Sequence, residues 1–338
     1  MNEVTLHPER NSFIDIVRVI ACFGVVTIHV HNSTVAAETL SRLFLDFCVP
    51  YFYITAIAYF IRSFGKDILL KNIFYKMWQR ICLPFGIWSV IYTSLLILKG
   101  QITGNGYIFN AILVFVYGGS TEHMYYLPEL MIMQLIIIGV CLLVFNIKQT
   151  IGIILIIITT CYLTWGYIHN LFGVTPFKNI ISYVIMGFFI APKLNRPGIN
   201  WFYLLFAILL IILTLTESYI DYPILIREYI ISLPLGGIGL LLLSINMPNV
   251  RLFKSLTLLT STTYGVYLSH IMFLEAFEYG MEKIHYNVHY NLLNKLIVVF
   301  FIYIICLIFT LIIRSSRVLS PLLLGEPGNR LTNKLAMV

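Results

Sequence analysis

The chain reads as an all-α, polytopic membrane protein of about ten transmembrane helices, and three observations carry that reading. Hydrophobic residues make up 59% of the 338 residues and charged residues only 11%, against roughly 25% charged in soluble domains. Mean hydropathy is +0.89. Apolar segments follow one another from residue 12 to residue 313, which leaves no room for a separate soluble domain. Residues 1–338 therefore form a single membrane domain, a helical bundle over 12–313 with short tails. Lys and Arg gather in short segments between the apolar runs, as topogenesis requires. The formal net charge of +7 thus has an explanation that needs no nucleic acid.

The first span, residues 12–31, reads SFIDIVRVIACFGVVTIHVH. It is long enough to cross a hydrocarbon core, yet it carries Asp15, Arg18, His29 and His31. An ionisable side chain at membrane depth is costly unless it faces protein or water. Arg18 and His29 are eleven positions apart, about 1100° of helical rotation, or roughly 20° past three turns, with about 16.5 Å of rise. They share one face at different depths. His31, rotated about 200° from His29, points elsewhere. Asp15 stands three residues before Arg18, a pairing distance on a helix, and an ion pair near the interface accounts for both without catalysis. The run lacks a small-residue cleavage site, so it reads as a retained span and not as a signal peptide.

Nine further spans follow at 41–62, 80–98, 124–145, 150–169, 177–192, 200–217, 226–244, 256–277 and 291–313, placed by length and flanking polar residues. Several contain Pro or Gly, which membrane helices tolerate. Before the third span lies Lys66 to Arg80 (KDILLKNIFYKMWQR), where Ile68, Leu69, Ile73, Phe74, Met77 and Trp78 alternate with Lys71, Lys76 and Arg80. This stretch is either an interfacial helix on anionic lipid headgroups or a phosphate-binding collar. In the fourth span Glu129 follows Pro128 in the outer half. The ninth carries His270 in its outer half, with Tyr267 on the same face and Glu275 near the outer end. A histidine bonded to Tyr or Ser in a bundle core is an ordinary structural residue, and His270 fits that description too.

The loops set the orientation. With the N-terminus inside, 15 of the 22 Lys and Arg residues lie on the cytoplasmic side, from Arg10 through Arg62, Lys148, Lys193 and Lys254 to Arg314 and the tail. Six lie opposite (Arg42, Lys99, Lys178, Arg227, Lys283 and Lys295), and Arg18 stays within the first span. The asymmetry places both termini in the cytoplasm. The six cysteines are scattered without a CxxC pair, so neither a disulfide framework nor a zinc site is indicated. His285 and His289 have i,i+4 spacing but no supporting ligands, and no metal is expected. HExxH, GxxxxGK[ST], Gly-rich dinucleotide and GxSxG motifs are all missing from the sequence.

Several segments resemble the acyltransferase-3 family of integral membrane acyltransferases. The first span, IDIVRVIACFGVVTIHV, is similar to the family's opening helix through Asp15, Arg18 and the R-x10-H spacing that ends at His29. CVPYFYITAIAYFI resembles the VPxFFxISGY segment, with Thr55-Ala56 where Ser-Gly is usual. KMWQRICLP is similar to the basic run and proline that open the third span, though with fewer arginines. HMYYL, His123 to Leu127, resembles HLWFL, and YGVYLSH, Tyr264 to His270, resembles SxGIYLxH. The likeness runs from residue 12 to about residue 315 and is nearest to short stand-alone members that modify surface polysaccharides.

The resemblance implies about ten helices, acetyl-CoA or another acyl-CoA as donor, a glycan or glycolipid acceptor, a multi-pass place in the plasma membrane, and essential roles for Arg18 and His29. Acyl-CoA is a substrate here, not a permanently bound cofactor. The expected mechanism has Arg18, Lys76 and Arg80 meet donor phosphates, because the guanidinium fork binds phosphate bidentately. His29 serves as general base on the acceptor hydroxyl, and Glu129 or His270 orients it or polarises the acyl carbonyl. The pantetheine arm or an acyl relay must then span the roughly 16 Å from Arg18 to His29. The competing reading is a transporter or flippase of a lipid-linked saccharide using the same polar groups. A non-catalytic partner in a synthase complex would leave the buried charges unexplained. The sequence is compatible with a homo-oligomer or with a place in a polysaccharide-synthesis complex.

Overall fold

The computed structural model describes residues 11–63, 70–103, 110–145, 148–168, 180–195, 199–219, 235–248 and 254–326. Among them every regular element is helical: α1 (Ser12–His29), α2 (Val35–Arg62), α3 (Leu70–Met77), α4 (Leu83–Thr103), α5 (Ala111–Tyr117), α6 (Tyr126–Val144), α7 (Gln149–Ile168), α8 (Ile180–Ile190), α9 (Trp201–Tyr219), α10 (Leu235–Asn246), α11 (Lys254–Lys283), α12 (Leu292–Ser315) and α13 (Leu319–Leu324). Among the described residues five stretches are long and apolar enough to cross a membrane: Ser12–His29, Val35–Arg62, Leu70–Gln101, Tyr126–Val144 and Leu292–Ser315. Gln149–Thr164, Ile180–Leu194, Trp201–Thr216 and Leu235–Asn246 are apolar but shorter. At 30 residues α11 spans about 45 Å, and Glu275, Glu278, Glu282 and Lys283 make its last turns polar.

A helix lies on each of the ten expected segments, but several boundaries differ, and each difference has a local cause. The second helix starts at Val35 and not at 41, because Thr34 caps it: the hydroxyl accepts from Ala37 N–H at 3.4 Å. Its polar first turns, with Glu38 and Arg42 paired at 2.6 Å, escape a search for apolar runs. The basic stretch before the third span is helical as α3, with Ile73 buried and Lys71 and Lys76 exposed. A π-helical turn, Trp78–Cys82, carries it straight into α4, with Leu83 N–H donating to Trp78 O. Pro84 has no N–H, so the Arg80 carbonyl loses its α-helical donor. The Tyr264 hydroxyl supplies one at 3.0 Å.

His31 needs a correction. The first helix stops at His29, and Val30 is extended, so helical rotation does not govern His31; its ring meets Tyr290 at a centroid distance of 5.7 Å. Lys295, expected at an outer span end, is a fully buried side chain, 0% exposed. Residues 226–234, 177–179 and Lys66 to Leu69 lie outside the described residues, as do Arg10, Lys178, Arg196, Arg227, Arg251, Arg330 and Lys334.

The chain forms two compact units that interleave in sequence. One comprises Met1–Ser63, Ser182–Thr263 and Val288–Phe301; the other comprises Phe64–Ile181, Tyr264–Asn287 and Ile302–Val338. In the first, α1 and α10 pack on α2, and α9 packs on α10. The α10 sequence Gly236-Gly237-Ile238-Gly239 allows that approach. A Cβ on Gly237 would lie 2.4 Å from Tyr51 N and 2.5 Å from Pro50 C, so the two backbones are in contact at Pro50, which lies inside α2. Small residues at such crossings are how membrane helices gain close packing. The Tyr51 hydroxyl then donates to Ile14 O at 2.9 Å and ties α2 to α1.

The second unit packs α6 against α7, and α13 against α4. Trp88 Nε1 donates to Leu323 O at 3.0 Å, and Arg314 pairs with Glu326 at 2.8 Å. Lys99 and Glu275 form an ion pair between α4 and α11.

Candidate active site

In the first unit the relevant groups sit at the two ends of α1. Asn11 caps the helix, its Oδ1 accepting from Phe13 N–H at 2.9 Å and Ile14 N–H at 3.2 Å. Its Nδ2 donates to Ser244 O on α10 at 3.3 Å. That fixes the first turn, where Asp15 lies buried. The Arg18 guanidinium stands 3.7 Å from the Asp15 carboxylate, with side-chain exposures of 29% and 3%. One guanidinium nitrogen of the arginine thus faces Asp15, and the side chain as a whole stays partly exposed. His29 occupies the last turn and is half-buried, whereas most of the helix between the two is buried.

The turn after His29 is held from the other end of the sequence. Val30 O accepts from Lys295 Nζ at 2.7 Å. The same ammonium donates to Asn32 Oδ1 at 2.6 Å and to Ser41 Oγ at 2.5 Å, and the Ser41 hydroxyl donates to Asn32 Oδ1 at 3.1 Å. Ser33 and Tyr290 exchange two bonds: Ser33 N–H to Tyr290 O at 3.0 Å and Tyr290 N–H to Ser33 Oγ at 2.9 Å. Segment 289–295 therefore acts as a clamp on residues 30–33.

In the second unit a cluster of rings surrounds His123. Its imidazole lies 4.7 Å, centroid to centroid, from that of His270, and 5.3 Å from the rings of both Tyr92 and Tyr267. The cluster is held by main-chain bonds. Tyr92 OH donates to Leu268 O at 2.8 Å, Tyr267 OH donates to His123 O, and Thr121 Oγ1 is 3.0 Å from His123 Nδ1. His270 Nδ1 is 2.7 Å from Tyr267 O and 3.2 Å from Val266 O. A ring nitrogen facing carbonyl oxygens must carry the proton, so in neutral His270 the basic lone pair is on Nε2.

The segment that delivers His123 is a turn whose glycine is obligatory. Gly118 ends α5 at φ +72°, and a Cβ there would lie 2.5 Å from Met124 O. The chain then passes His123 and enters α6, whose first turn holds Glu129, 1% exposed.

Of the residues expected from sequence, Arg18, His29 and Asp15 belong to the first unit, and Asp15 and Arg18 meet. Lys76, Arg80, Glu129 and His270 belong to the second. Lys76 and Arg80 are exposed on neighbouring turns. Sequence reasoning missed two residues. His123 belongs to the HMYYL segment, but nothing in the polar run GGSTEHMYY gives it a role of its own. Lys295 did leave a signal: a lysine four residues after Asn291, inside an apolar span, is costly enough to demand a partner.

The acyltransferase-3 family model, described as an acyltransferase domain, matches residues 11–315. Comparisons with curated proteins and with solved structures find no match. The matched range begins at the Asn11 cap and ends at the last residue of α12, so it takes in both ends of α1, the His123 cluster and the Lys295 clamp. The chain belongs to the acyltransferase-3 family of membrane acyltransferases.

Proposed function

We propose that the protein moves an acyl group, an acetyl in the simplest case, from a CoA donor to a hydroxyl of a cell-surface glycan or lipid-linked saccharide. One observation carries this reading: α1 presents two half-exposed functional groups, Arg18 and His29, at opposite ends of a mostly buried helix. A guanidinium anchored by Asp15 keeps its outer N–H groups for a phosphate, which it binds with two parallel hydrogen bonds. Lys76 and Arg80 offer further cationic contacts to donor phosphates. His29 takes the proton of the acceptor hydroxyl as its oxygen attacks the thioester carbonyl. The C–S bond breaks, the imidazolium returns the proton to the CoA thiolate, and an ester and free CoA leave.

Family membership sets acyl transfer above the flippase reading. The proposal includes ten membrane crossings, both termini in the cytoplasm and a location in the plasma membrane. The test uses [14C]acetyl-CoA and membranes that carry the producing cell's own surface glycans. His29→Ala should lower label transfer by about 100- to 10,000-fold, the usual worth of a positioned general base. Wild-type transfer by that variant would refute the base assignment. CoA should raise the melting temperature of the wild-type protein, and Arg18→Ala should remove that shift.

A further inference from the structure

We propose that Lys295 is a positioning residue for acyl transfer, acting through Val30 to fix the imidazole of His29; this rests on the reading of His29 as the base. Lys295 is 0% exposed, and its ammonium makes three contacts at 2.5–2.7 Å, to Val30 O, Asn32 Oδ1 and Ser41 Oγ. An ammonium has three donors, so all three are used. All three acceptors are neutral oxygens. Burying a charge against neutral groups costs more than burying it against a carboxylate, and a plain helix end does not require it. Glycine or asparagine ends many helices at far lower cost.

What Lys295 does supply is specific to this place. Val30 ends α1, so its carbonyl is one of the groups that the helix leaves without an internal donor. A cation there satisfies the carbonyl and matches the negative end of the helix dipole. Because Val30 adjoins His29, the bond fixes the last turn of α1 and therefore the direction of the imidazole. Asn32 and Ser41 extend the same hold across the turn into α2. Without the ammonium, the Ser33–Tyr290 pair still closes the loop, so the turn survives while the register of its final residue loosens. A displacement of about 1 Å of a catalytic group can cost about 100-fold in rate.

The experiment uses the full chain in nanodiscs, [14C]acetyl-CoA as donor and the producing cell's surface glycans as acceptor. Four proteins are compared with wild type: Lys295→Met, Ser41→Ala, His29→Ala and the double variant Lys295→Met/His29→Ala. Lys295→Met should lower kcat about 100-fold while KM for acetyl-CoA stays within about twofold, the pattern of a group that acts only at the chemical step. The double variant should be no slower than His29→Ala, since a residue that acts through His29 has nothing left to position. Should Lys295→Met fail to fold, Ser41→Ala carries the test: one acceptor is lost, and kcat should fall about fivefold, the worth of one hydrogen bond, again at unchanged KM. Multiplicative losses in the double variant, or wild-type kcat in Lys295→Met beside an inactive His29→Ala, would overturn the proposal alone. Full transfer by His29→Ala would overturn the base assignment and this proposal together.

Discussion

Single side chains in this protein are oriented mainly by main-chain carbonyls. Lys295 reaches Val30 O, Tyr92 reaches Leu268 O, Tyr267 reaches His123 O, and Tyr264 reaches Arg80 O. In an apolar surrounding a polar group must find an acceptor inside the protein; Val30, His123 and Arg80 offer carbonyls left over at turns and prolines, and Leu268, inside α11, accepts a second bond. Tyr267→Phe tests the arrangement. It removes the hydroxyl that donates to His123 O, an oxygen that also accepts from Tyr126 N–H at 3.3 Å. Stability should fall by about 1 kcal/mol, the net worth of one hydrogen bond with a second donor remaining. The melting temperature of purified Tyr267→Phe, compared with wild type, measures it; an unchanged melt would mean that the bond does not hold the cluster. The same logic explains which residues can be found from sequence. Asp15, Arg18 and His29 stand out because each is a charge inside an apolar run. His123 is marked only by the HMYYL resemblance, because the rings it meets, Tyr92 and His270, are distant in the chain and no local spacing records that meeting.

At the level of elements, the apolar stretches of the long helices are legible in the sequence and their ends are not, and the short helices α5 and α13 lie outside every expected span. Hydropathy and length locate a span well, since backbone polar groups in lipid must be satisfied within the segment. Amphipathic turns at span ends have no such signature. The capped start of α2 at Val35 and the α3–π–α4 run therefore extend beyond the apolar core that marks them. The α9–α10–α2 packing was equally hidden: three glycines in α10 look like a helix weakness until the neighbouring backbone is seen. Gly237→Ala should lower the melting temperature, because its Cβ would sit 2.4 Å from Tyr51 N and 2.5 Å from Pro50 C and backbone cannot yield as a side-chain tip can. Overpacking of this kind costs about 1–3 kcal/mol. Gly86→Ala in α4 is the matched control. Nothing lies within 4 Å of its Cβ position, so helix propensity alone acts, and the melt should rise by the equivalent of about 0.5–1 kcal/mol.

For the whole molecule, the division into two interleaved units separates the candidate chemistry by sequence in a way that no span list conveys. Arg18, His29 and Lys295 fall in one unit, and Lys76, Arg80, His123, Glu129 and His270 in the other, with α11 and α12 each contributing residues to both. Composition showed a membrane protein but held no trace of that division, which arises from contacts between residues hundreds of positions apart. Orientation is a prediction from the loops alone: 15 of 22 basic residues assigned to one side is a strong bias. It predicts which loops face the cell exterior, and labelling can read this without knowledge of the substrate. Gln149 opens α7 and Asn287 lies in the loop after α11; both are exposed, and the predicted orientation assigns them to opposite sides. In a background without the six native cysteines, Asn287→Cys should react with a membrane-impermeant maleimide added to whole cells. Gln149→Cys should react only after permeabilisation. The reverse pattern would invert the topology and move the Arg18 end of α1 to the outer face. A CoA donor is cytoplasmic, so that result would also remove the physical basis for placing donor phosphates at Arg18.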